Sequence, residues 1–278
     1  MQSFFQAGKC RFPLGKQTYI MGILNVTPDS FSDGGAYFSP DKAVAHALEM
    51  QEQGADIIDI GGQSTRPGHV PIPWEEEWGR IEPVLLALKG QVQAAISVDT
   101  FYPQVAERAL AAGADIINDV KGFSPEMWEV AARHPNCGCV VMHWQELGPE
   151  EDAAKAVHDF FVKKKEEALA AGILPERLCM DPGIGFGKSY EQNLQLLAQV
   201  DREKLEEIAF LMAASRKRVI GAPCGNPPFQ ERLAGTLAAH TLAVAGGADI
   251  LRVHDIGEAV QAARVADAVL SACQLYRN

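Results

Sequence analysis

Short apolar runs alternate with longer amphipathic stretches along almost the whole chain. The apolar runs have the composition of buried parallel strands, which we predict at residues 18–26, 55–61, 94–99, 114–119, 138–143, 178–182, 208–214 and 249–254. The stretches between them predict helices at residues 41–53, 74–90, 103–112, 125–134, 150–171, 190–200, 228–245 and 257–276. Eight strands, each followed by a helix, predict an α/β fold, a single (β/α)8 TIM barrel over residues 1–278.

One motif, GADII or GADIL, recurs at the boundary between a predicted helix and a predicted strand. It occupies residues 54–58, 113–117 and 247–251. If these repeats are structurally equivalent, Asp59, Asn118 and Arg252, each five residues after the glycine, lie at one level and point one way. A charged or amide side chain is costly within an apolar strand unless it faces a partner. We therefore expect these side chains to point into the barrel, as does His254, two residues after Arg252.

Nearly every predicted strand ends in a side chain that forms hydrogen bonds. These residues are Asn25, Gln63, Ser64, Thr65, Arg66, Asp99, Asn118, His143, Asp181, Ser215, Arg216, Lys217, Arg252 and His254. Any one of them alone would be read as a loop starter or a helix cap. Three strand-to-helix connections are also long, at about 27–40, 62–73 and 215–227. Together these features predict an active site at the C-terminal ends of the strands.

The polar residues of this predicted site divide into two chemical groups. Asp99, Asn118 and Asp181 suit a flat heterocycle with an edge of N–H donors, because a carboxylate can accept paired charge-assisted hydrogen bonds. The cationic residues suit phosphate or carboxylate groups; they are Arg66, Lys217, Arg252 and His254. One pocket is therefore predicted to hold a heterocycle and more than one anion.

The acidic composition limits the partners that we expect. The formal net charge is −11 over 278 residues, so the surface should repel nucleic acid and anionic membranes. The N-terminal stretch lacks the features of a signal peptide, and no apolar run is long enough to cross a membrane. The six cysteines need not form a disulfide framework, which favours a cytoplasmic location.

Signals for other kinds of catalytic centre are weak. Cys137 and Cys139 form a C-x-C motif, but no second cysteine pair or nearby histidine cluster completes a metal site. We interpret both as small buried side chains. His143 can be read as a base, but a packed histidine at a strand end fits its apolar surroundings better.

A glycine-rich segment, DPGIGFGK, occupies residues 181–188. Its glycines lack the spacing of a Walker phosphate loop. They fit either a phosphate loop or a tight turn beneath a ligand, and Lys188 need not face the site. Asp181 and Phe186 are the better candidates for contact with a ligand here.

Eight segments of the chain resemble the motifs of the dihydropteroate synthase family, in that family's order. They are GILNVTPDSFSDGG (22–35), DIGGQSTRPG (59–68), SVDT (97–100), IND (117–119), DPGIGFGK (181–188), SRK (215–217), ERLAGTLAA (231–239) and RVHD (252–255). The resemblance covers almost the whole chain. It implies an alkyl-group transferase of folate biosynthesis that condenses 6-hydroxymethyl-7,8-dihydropterin diphosphate with para-aminobenzoate, giving 7,8-dihydropteroate and diphosphate. It also implies Mg²⁺, sulfonamides as inhibitors, and a homodimer formed through the last two helices.

The resemblance also implies roles for individual residues. The pterin is expected against Asp99, Asn118, Met142, Asp181 and Lys217. Para-aminobenzoate is expected among Phe31, Asp33, Thr65, Arg66, Pro67, Phe186 and Ser215. The diphosphate is expected near Asn25, Arg66, Arg252 and His254, with Mg²⁺ at Asn25. The expected catalytic residues are Asp181, Lys217, Arg252 and His254.

The implied chemistry agrees with these residue types. Cations stabilise the departing diphosphate, and Asp181 favours positive charge on the pterin. The neutral arylamine can attack without a strong base. We therefore expect a dissociative substitution. Phe31, in a polar loop just after Asn25, suits a lid that closes over the reacting carbon and excludes water.

Three positions depart from the family pattern. Gln63 stands where glutamate is common, Ala213 where glycine is usual, and Trp144 where methionine is frequent. None of them removes a residue with an expected role. Two other functions compatible with a pterin site are a folate-binding methyltransferase of the corrinoid-dependent type and a non-catalytic pterin-binding homologue.

Overall fold

Eight parallel strands form a closed barrel in the computed structural model, which describes residues 3–27, 40–64, 68 and 70–275. The barrel strands are β3 (Tyr19–Asn25), β4 (Ile57–Gly61), β5 (Ala95–Asp99), β6 (Ile116–Asp119), β7 (Gly138–Met142), β8 (Leu178–Asp181), β9 (Ala209–Met212) and β10 (Ile250–Val253). They pair in chain order, and β10 pairs with β3 to close the barrel. The predicted (β/α)8 barrel is therefore confirmed.

Helices follow the strands and cover the outside of the barrel. They are α1 (Pro40–Glu52), α2 (Trp74–Leu88), α3 (Pro103–Ala112), α4 (Pro125–Arg133), α5 (Ala153–Ala170), α6 (Tyr190–Ala198), α7 (Val200–Glu203), α8 (Arg218–Gly221), α9 (Leu233–Ala245) and α10 (Ile256–Leu275). The helix predicted at 190–200 is divided between α6 and α7, and the one predicted at 228–245 begins later, after a short 3-10 turn at Phe229–Glu231. None of the helices in the described ranges is both long enough and apolar enough to cross a membrane.

The GADI repeats have the structure that their glycines predict, together with a role for aspartate that sequence reasoning missed. Gly54, Gly113 and Gly247 have φ values of 103°, 115° and 103°, the left-handed conformation that ends a helix. The aspartate two residues later accepts a backbone N–H from the preceding barrel strand. The distances are 2.8 Å for Asp56 and Ile20, 2.9 Å for Asp115 and Ile96, and 2.9 Å for Asp249 and Phe210.

An antiparallel hairpin that the periodicity did not predict closes the N-terminal end of the barrel. Its strands are β1 (Phe4–Ala7) and β2 (Cys10–Pro13). Phe5 and Phe12 are buried against the apolar residues that fill the lower barrel. Gly8 makes the turn with a φ of 56°, and a Cβ there would stand 1.8 Å from Oδ1 of Asp115, so the turn requires glycine.

Candidate active site

The inward-facing positions of the barrel change from apolar to polar along the strands. On β4, Ile57 belongs to the lower apolar cluster, and Asp59 is the next inward residue. On β10, Ile250 is followed in the same way by Arg252. Because alternate residues of a strand point to the same side, the upper end of the barrel interior is lined by charged and amide groups.

The three residues at equivalent repeat positions form one hydrogen-bonded network. Arg252 donates from Nε to Oδ2 of Asp59 at 2.7 Å, and Asn118 donates from Nδ2 to the same oxygen at 3.1 Å. The other Asp59 oxygen accepts from Oγ of Ser97 at 2.6 Å. The predicted common level and direction are therefore confirmed. Asp59 is fully buried and uses both oxygens within this network, so it orients Arg252 and Asn118.

Asp99 pairs with the same guanidinium and keeps one oxygen for another partner. Nη2 of Arg252 lies 2.9 Å from Oδ2 of Asp99. Oδ1 of Asp99 is buried and accepts no hydrogen bond from any part of the chain that the structure describes. Burial raises the pKa of Asp99, and the Arg252 charge opposes that rise. A buried acceptor with no partner is costly, so this oxygen suits an N–H donor of a ligand.

Asp181 ends β8, and Lys217 directly precedes α8; both lie beside the glycine-rich loop. Oδ1 of Asp181 accepts the Gly183 N–H at 2.7 Å, and Nζ of Lys217 donates to the Ile184 carbonyl at 2.6 Å. Burial lowers the pKa of Lys217 to about 8, although the Asp181 charge opposes this. Burial likewise raises the pKa of Asp181. Nζ of Lys217 also stands 4.9 Å from the centre of the Phe186 ring.

Ser215 and His254 meet at the ends of β9 and β10. The Ser215 hydroxyl lies 2.9 Å from Nδ1 of His254, and its oxygen also accepts the His254 backbone N–H at 3.3 Å. The Phe229 ring packs edge-on against the imidazole, with ring centres 5.1 Å apart. Arg216, between Ser215 and Lys217 in sequence, instead donates from Nε to Asp255 at 2.8 Å, so it supports the loop.

Two strand-end residues of β7 are buried with little polar contact. Met142, expected at the pterin, is 2% exposed and lies opposite Asp181 in the strand pairing. His143 packs edge-on against Phe160, and burial lowers its pKa to about 3. A neutral, enclosed imidazole agrees with the prediction of a packed histidine.

Asn25 is at the C-terminal end of β3, where the expected metal would be held. A Cβ on Gly61 would stand 3.6 Å from Oδ1 of Asn25 and 3.8 Å from Cβ of Asp99, so glycine keeps the space between them open. The described residues contain no group of three or more histidine, cysteine or acidic side chains suited to a metal ion. One amide oxygen beside an open space fits Mg²⁺ that takes its other ligands from water and substrate phosphate.

Five of the predicted site residues lie outside the described residues. They are Phe31, Asp33, Thr65, Arg66 and Pro67. Their expected roles remain predictions.

The connection between β4 and α2 is held in place at both of its described ends, Gly62–Gln63 and Ile72. One of the contacts is with a buried acid, Glu77, that the sequence did not predict. Gln63 donates from Nε2 to Oε2 of Glu77 on α2, and burial raises the pKa of Glu77 to about 7. Arg80 donates to the Gly62 carbonyl at 2.8 Å, and Tyr102 donates to the Ile72 carbonyl at 2.8 Å. The regular helical pattern around Glu77 contains no sign of this partner. Gln63 therefore has a structural contact of its own.

The other two departures from the family pattern lie in different surroundings. Ala213 is 5% exposed and belongs to the apolar cluster of the barrel interior. Trp144 is 47% exposed at the end of β7. Within the described residues, neither side chain forms a hydrogen bond to the network of Asp59, Asn118 and Arg252.

Comparison with known proteins gives concordant results. Residues 21–254 match the family described as "Pterin binding enzyme". Dihydropteroate synthase of Synechocystis is 44% identical over 271 residues, which cover 94% of this chain and 93% of that protein. The solved dihydropteroate synthase of Xanthomonas albilineans with 4-aminobenzoic acid superposes with a TM-score of 0.90 at 43% identity, covering 97% of this chain and 99% of that one. The enzyme of Burkholderia cenocepacia complexed with 7,8-dihydropteroate gives a TM-score of 0.88 at 36% identity, covering 99% of each chain.

Proposed function

The chain belongs to the dihydropteroate synthase family of pterin-binding enzymes, and we propose that it condenses 6-hydroxymethyl-7,8-dihydropterin diphosphate with para-aminobenzoate. The products are 7,8-dihydropteroate and diphosphate. The observation that carries this proposal is the polar upper barrel, in which buried acceptors stand beside partly buried cations. Sulfonamides are expected to compete with para-aminobenzoate.

The pterin occupies the barrel interior between Asp99, Asn118, Met142, Asp181 and Lys217. Oδ1 of Asp99 supplies an acceptor for which the described residues provide no hydrogen-bond donor. Asn118 is held in place by Asp59, and Asp181 by the Gly183 N–H. A heterocycle with N–H donors on its edge satisfies these buried oxygens and removes the cost of leaving them without a partner.

The diphosphate leaves on the side of Asn25, Arg252 and His254. Arg252 is oriented by Asp59 and Asp99 through Nε and Nη2, and a planar guanidinium still has further N–H donors for a phosphate oxygen. Asn25 would hold Mg²⁺, which would neutralise part of the diphosphate charge. Arg66 is proposed for the same side.

The reaction is a dissociative substitution at the pterin methylene. The C–O bond to diphosphate breaks while positive charge develops on the pterin, and Asp181 in its charged form would favour that positive charge. The amine of para-aminobenzoate then attacks through its lone pair and loses a proton to solvent. No strong base is required, which agrees with the low pKa of His143.

The second substrate enters beside Phe186 and Ser215, with Phe31, Asp33, Thr65, Arg66 and Pro67 completing its surroundings. Phe186 offers an aromatic face next to the Lys217 ammonium, and Ser215 is held by His254. An aromatic ring with a carboxylate matches an apolar face bordered by cations. Phe31 is proposed as a lid over the reacting carbon.

Two copies of the chain associate through α9 and α10. These helices expose Leu242, Val265 and Val269 by 66%, 65% and 57%, and a groove lined by Leu237, Ala262 and Val265 runs between the helices. Exposed apolar side chains grouped on adjoining helices are typical of an interface between subunits. Light scattering should give twice the chain mass, and a Val265→Glu variant should give the monomer mass.

A cytoplasmic location completes the proposal. All six cysteines are free thiols, and three of them are buried. Unpaired cysteines are typical of a reducing compartment.

The test of the proposed function is diphosphate release from the dihydropterin diphosphate in Mg²⁺, with and without para-aminobenzoate. Release that requires para-aminobenzoate and yields dihydropteroate supports the synthase, and a Lys217→Ala variant should lose most of it. Release without dihydropteroate, or pterin binding by a folded protein without any release, would contradict it. The latter result would favour the methyltransferase or the non-catalytic homologue.

The Asp181→Asn variant tests the charge role of Asp181. Because an amide keeps the shape but not the charge, kcat should fall on the order of 10–100-fold, while the Kd for 6-hydroxymethylpterin should change by less than about threefold. Single-turnover kinetics and calorimetry measure the two quantities. Equal losses in rate and in affinity would assign Asp181 to binding alone.

A further inference from the structure

Lys188 joins the glycine-rich loop after β8 to His143, the residue that follows β7, and the proposed mechanism gives it no role. Its Nζ donates to the His143 carbonyl at the end of β7 at 2.9 Å and to the Phe186 carbonyl at 2.8 Å. Burial lowers the pKa of Lys188 to about 7, while the Asp181 charge opposes this. A partly buried ammonium needs hydrogen-bond partners, and the two carbonyls that accept from Lys188 show which backbone segments it connects.

The loop backbone is pressed against the segment that follows β7. Gly183 and Gly187 have positive φ values of 69° and 59°. A Cβ on Gly183 would stand 2.0 Å from the His143 carbonyl oxygen, and one on Gly187 would stand 2.6 Å from that of Gln145. The glycines thus allow the close approach that brings the His143 carbonyl within reach of the Lys188 ammonium. They support the interpretation of a tight turn beneath a ligand.

The segment that Lys188 holds also carries the partners of two site residues. Gly183 donates its N–H to Asp181, and Ile184 offers its carbonyl to Lys217. Phe186 donates its N–H to the Gly183 carbonyl at 3.0 Å, and its ring faces the Lys217 ammonium. The Phe186 carbonyl accepts from Lys188. The orientation of the Phe186 ring therefore depends on a backbone that Lys188 anchors.

We propose that Lys188 is a positioning residue that sets the Phe186 ring beside Lys217 and so shapes the part of the site that receives para-aminobenzoate. Lys188 acts through the Phe186 backbone. The inference rests on the proposed function and adds to it a residue that determines affinity for the second substrate.

The Lys188→Met variant tests the role, because methionine nearly matches the apolar stem but donates no hydrogen bond. The KM for para-aminobenzoate should rise on the order of tenfold, with kcat changed by less than about threefold. The Kd for 6-hydroxymethylpterin should stay within about twofold. A general loss of packing would move all three quantities together.

Lys164→Met is the matched control. Lys164 is also a partly buried lysine that donates to a backbone carbonyl, that of Phe123 at 3.0 Å, but it lies on α5 outside the barrel. This variant should lower the melting temperature without changing the KM for para-aminobenzoate. A similar rise in KM in the control would overturn the proposal.

A double-mutant cycle with Phe186→Leu shows whether Lys188 acts through Phe186. In the Phe186→Leu background, Lys188→Met should raise the KM by less than about twofold, because the ring that it positions is gone. The same tenfold rise in both backgrounds would overturn the proposal. If Lys188→Met does not fold, Lys188→Gln takes its place, because glutamine can still donate to one carbonyl. Its KM for para-aminobenzoate should be raised, but by less than tenfold. An unchanged KM would overturn the proposal.

The two proposals fail in different ways. A wild-type protein that makes no dihydropteroate would remove the proposed function. An active wild type whose Lys188→Met variant shows no separation between KM and pterin affinity would remove only the role of Lys188.

Discussion

The lower and upper halves of the barrel interior are built on the same strands but from opposite kinds of residue. The lower half is apolar and includes Met21, Ile57, Ile116 and Ile250, with the hairpin residue Phe5 beneath them. On three of these strands the upper half begins two residues further along, with Asp59, Asn118 and Arg252, and Asp99 and Asp181 lie on the strands between. The inward-facing side chains of each strand are therefore divided between stability and ligand binding.

The two halves differ in what a substitution should change. In the lower half, removing a side chain leaves a cavity, and the cost appears in the free energy of unfolding. In the upper half, each charge is balanced by another charge or left open to a ligand, so the cost depends on which partner is removed. Changes to the lower half should spare ligand affinity.

The largest effect is expected from Arg252→Met, which breaks the upper half at its centre. The variant leaves Asp59 and Asp99 buried without their guanidinium partner. We expect a loss of about 3–5 kcal/mol in the free energy of unfolding, measured by urea denaturation, and no detectable turnover.

A triple variant separates charge balance from function. Adding Asp59→Asn and Asp99→Asn to Arg252→Met removes the unpaired charges, so part of the lost stability should return while activity stays absent. If turnover returned together with stability, the upper half would have a structural role only, and its assignment to ligand binding would be wrong.

The second effect is expected from Met21→Ala in the lower half. Met21 is fully buried among apolar neighbours. Its truncation should lower the free energy of unfolding by about 2–5 kcal/mol, as is usual for large-to-small changes in a core. At a temperature where the variant is folded, kcat/KM should remain within about twofold of wild type. A larger loss of kcat/KM would mean that the lower half also shapes the ligand site.

The smallest effect concerns Glu77, outside the barrel beside the upper half. Its pKa is raised from 4.5 to about 7 by burial, so the folded protein binds this proton more tightly than the unfolded chain does. The corresponding stability is fully present below pH 4.5 and is lost as pH rises through 7. The free energy of unfolding of Glu77→Gln should therefore rise relative to that of wild type between pH 5 and 8, by on the order of 1–3 kcal/mol.

Urea denaturation at several pH values checks this expectation. Glu75→Gln is the control, since Glu75 is an exposed residue in the same turn of α2. It should leave the pH dependence of wild type unchanged. Parallel curves for wild type and Glu77→Gln would show that Glu77 does not titrate in this range.

The sequence predicted the barrel well because its signals are local. Each strand and helix has its own periodicity, and the glycine of each GADI repeat marks a helix end within a few residues. The repeats also located Asp59, Asn118 and Arg252 at one level, which the hydrogen bonds confirm. The hairpin was missed because its strands are only four residues long and owe their burial to the distant floor of the barrel.

Partners far apart in sequence set the limit of prediction at the site. Gln63 and Glu77, and likewise Lys188 and His143, are joined only by the fold. Lys188 gave no signal beyond its place in a glycine-rich motif, and its two carbonyl partners are backbone groups that every residue carries. Side-chain chemistry can be read from a sequence, but the backbone atoms that it meets cannot.

The most direct test of the two-part interior is calorimetric titration of 6-hydroxymethylpterin into wild type, Asp99→Asn and Met21→Ala. We predict that Asp99→Asn weakens binding by at least about tenfold, because an amide has one oxygen and cannot accept from both Arg252 and the ligand. Met21→Ala should stay within about twofold of wild type. Equal affinities in all three proteins, or a larger loss in Met21→Ala than in Asp99→Asn, would contradict this prediction.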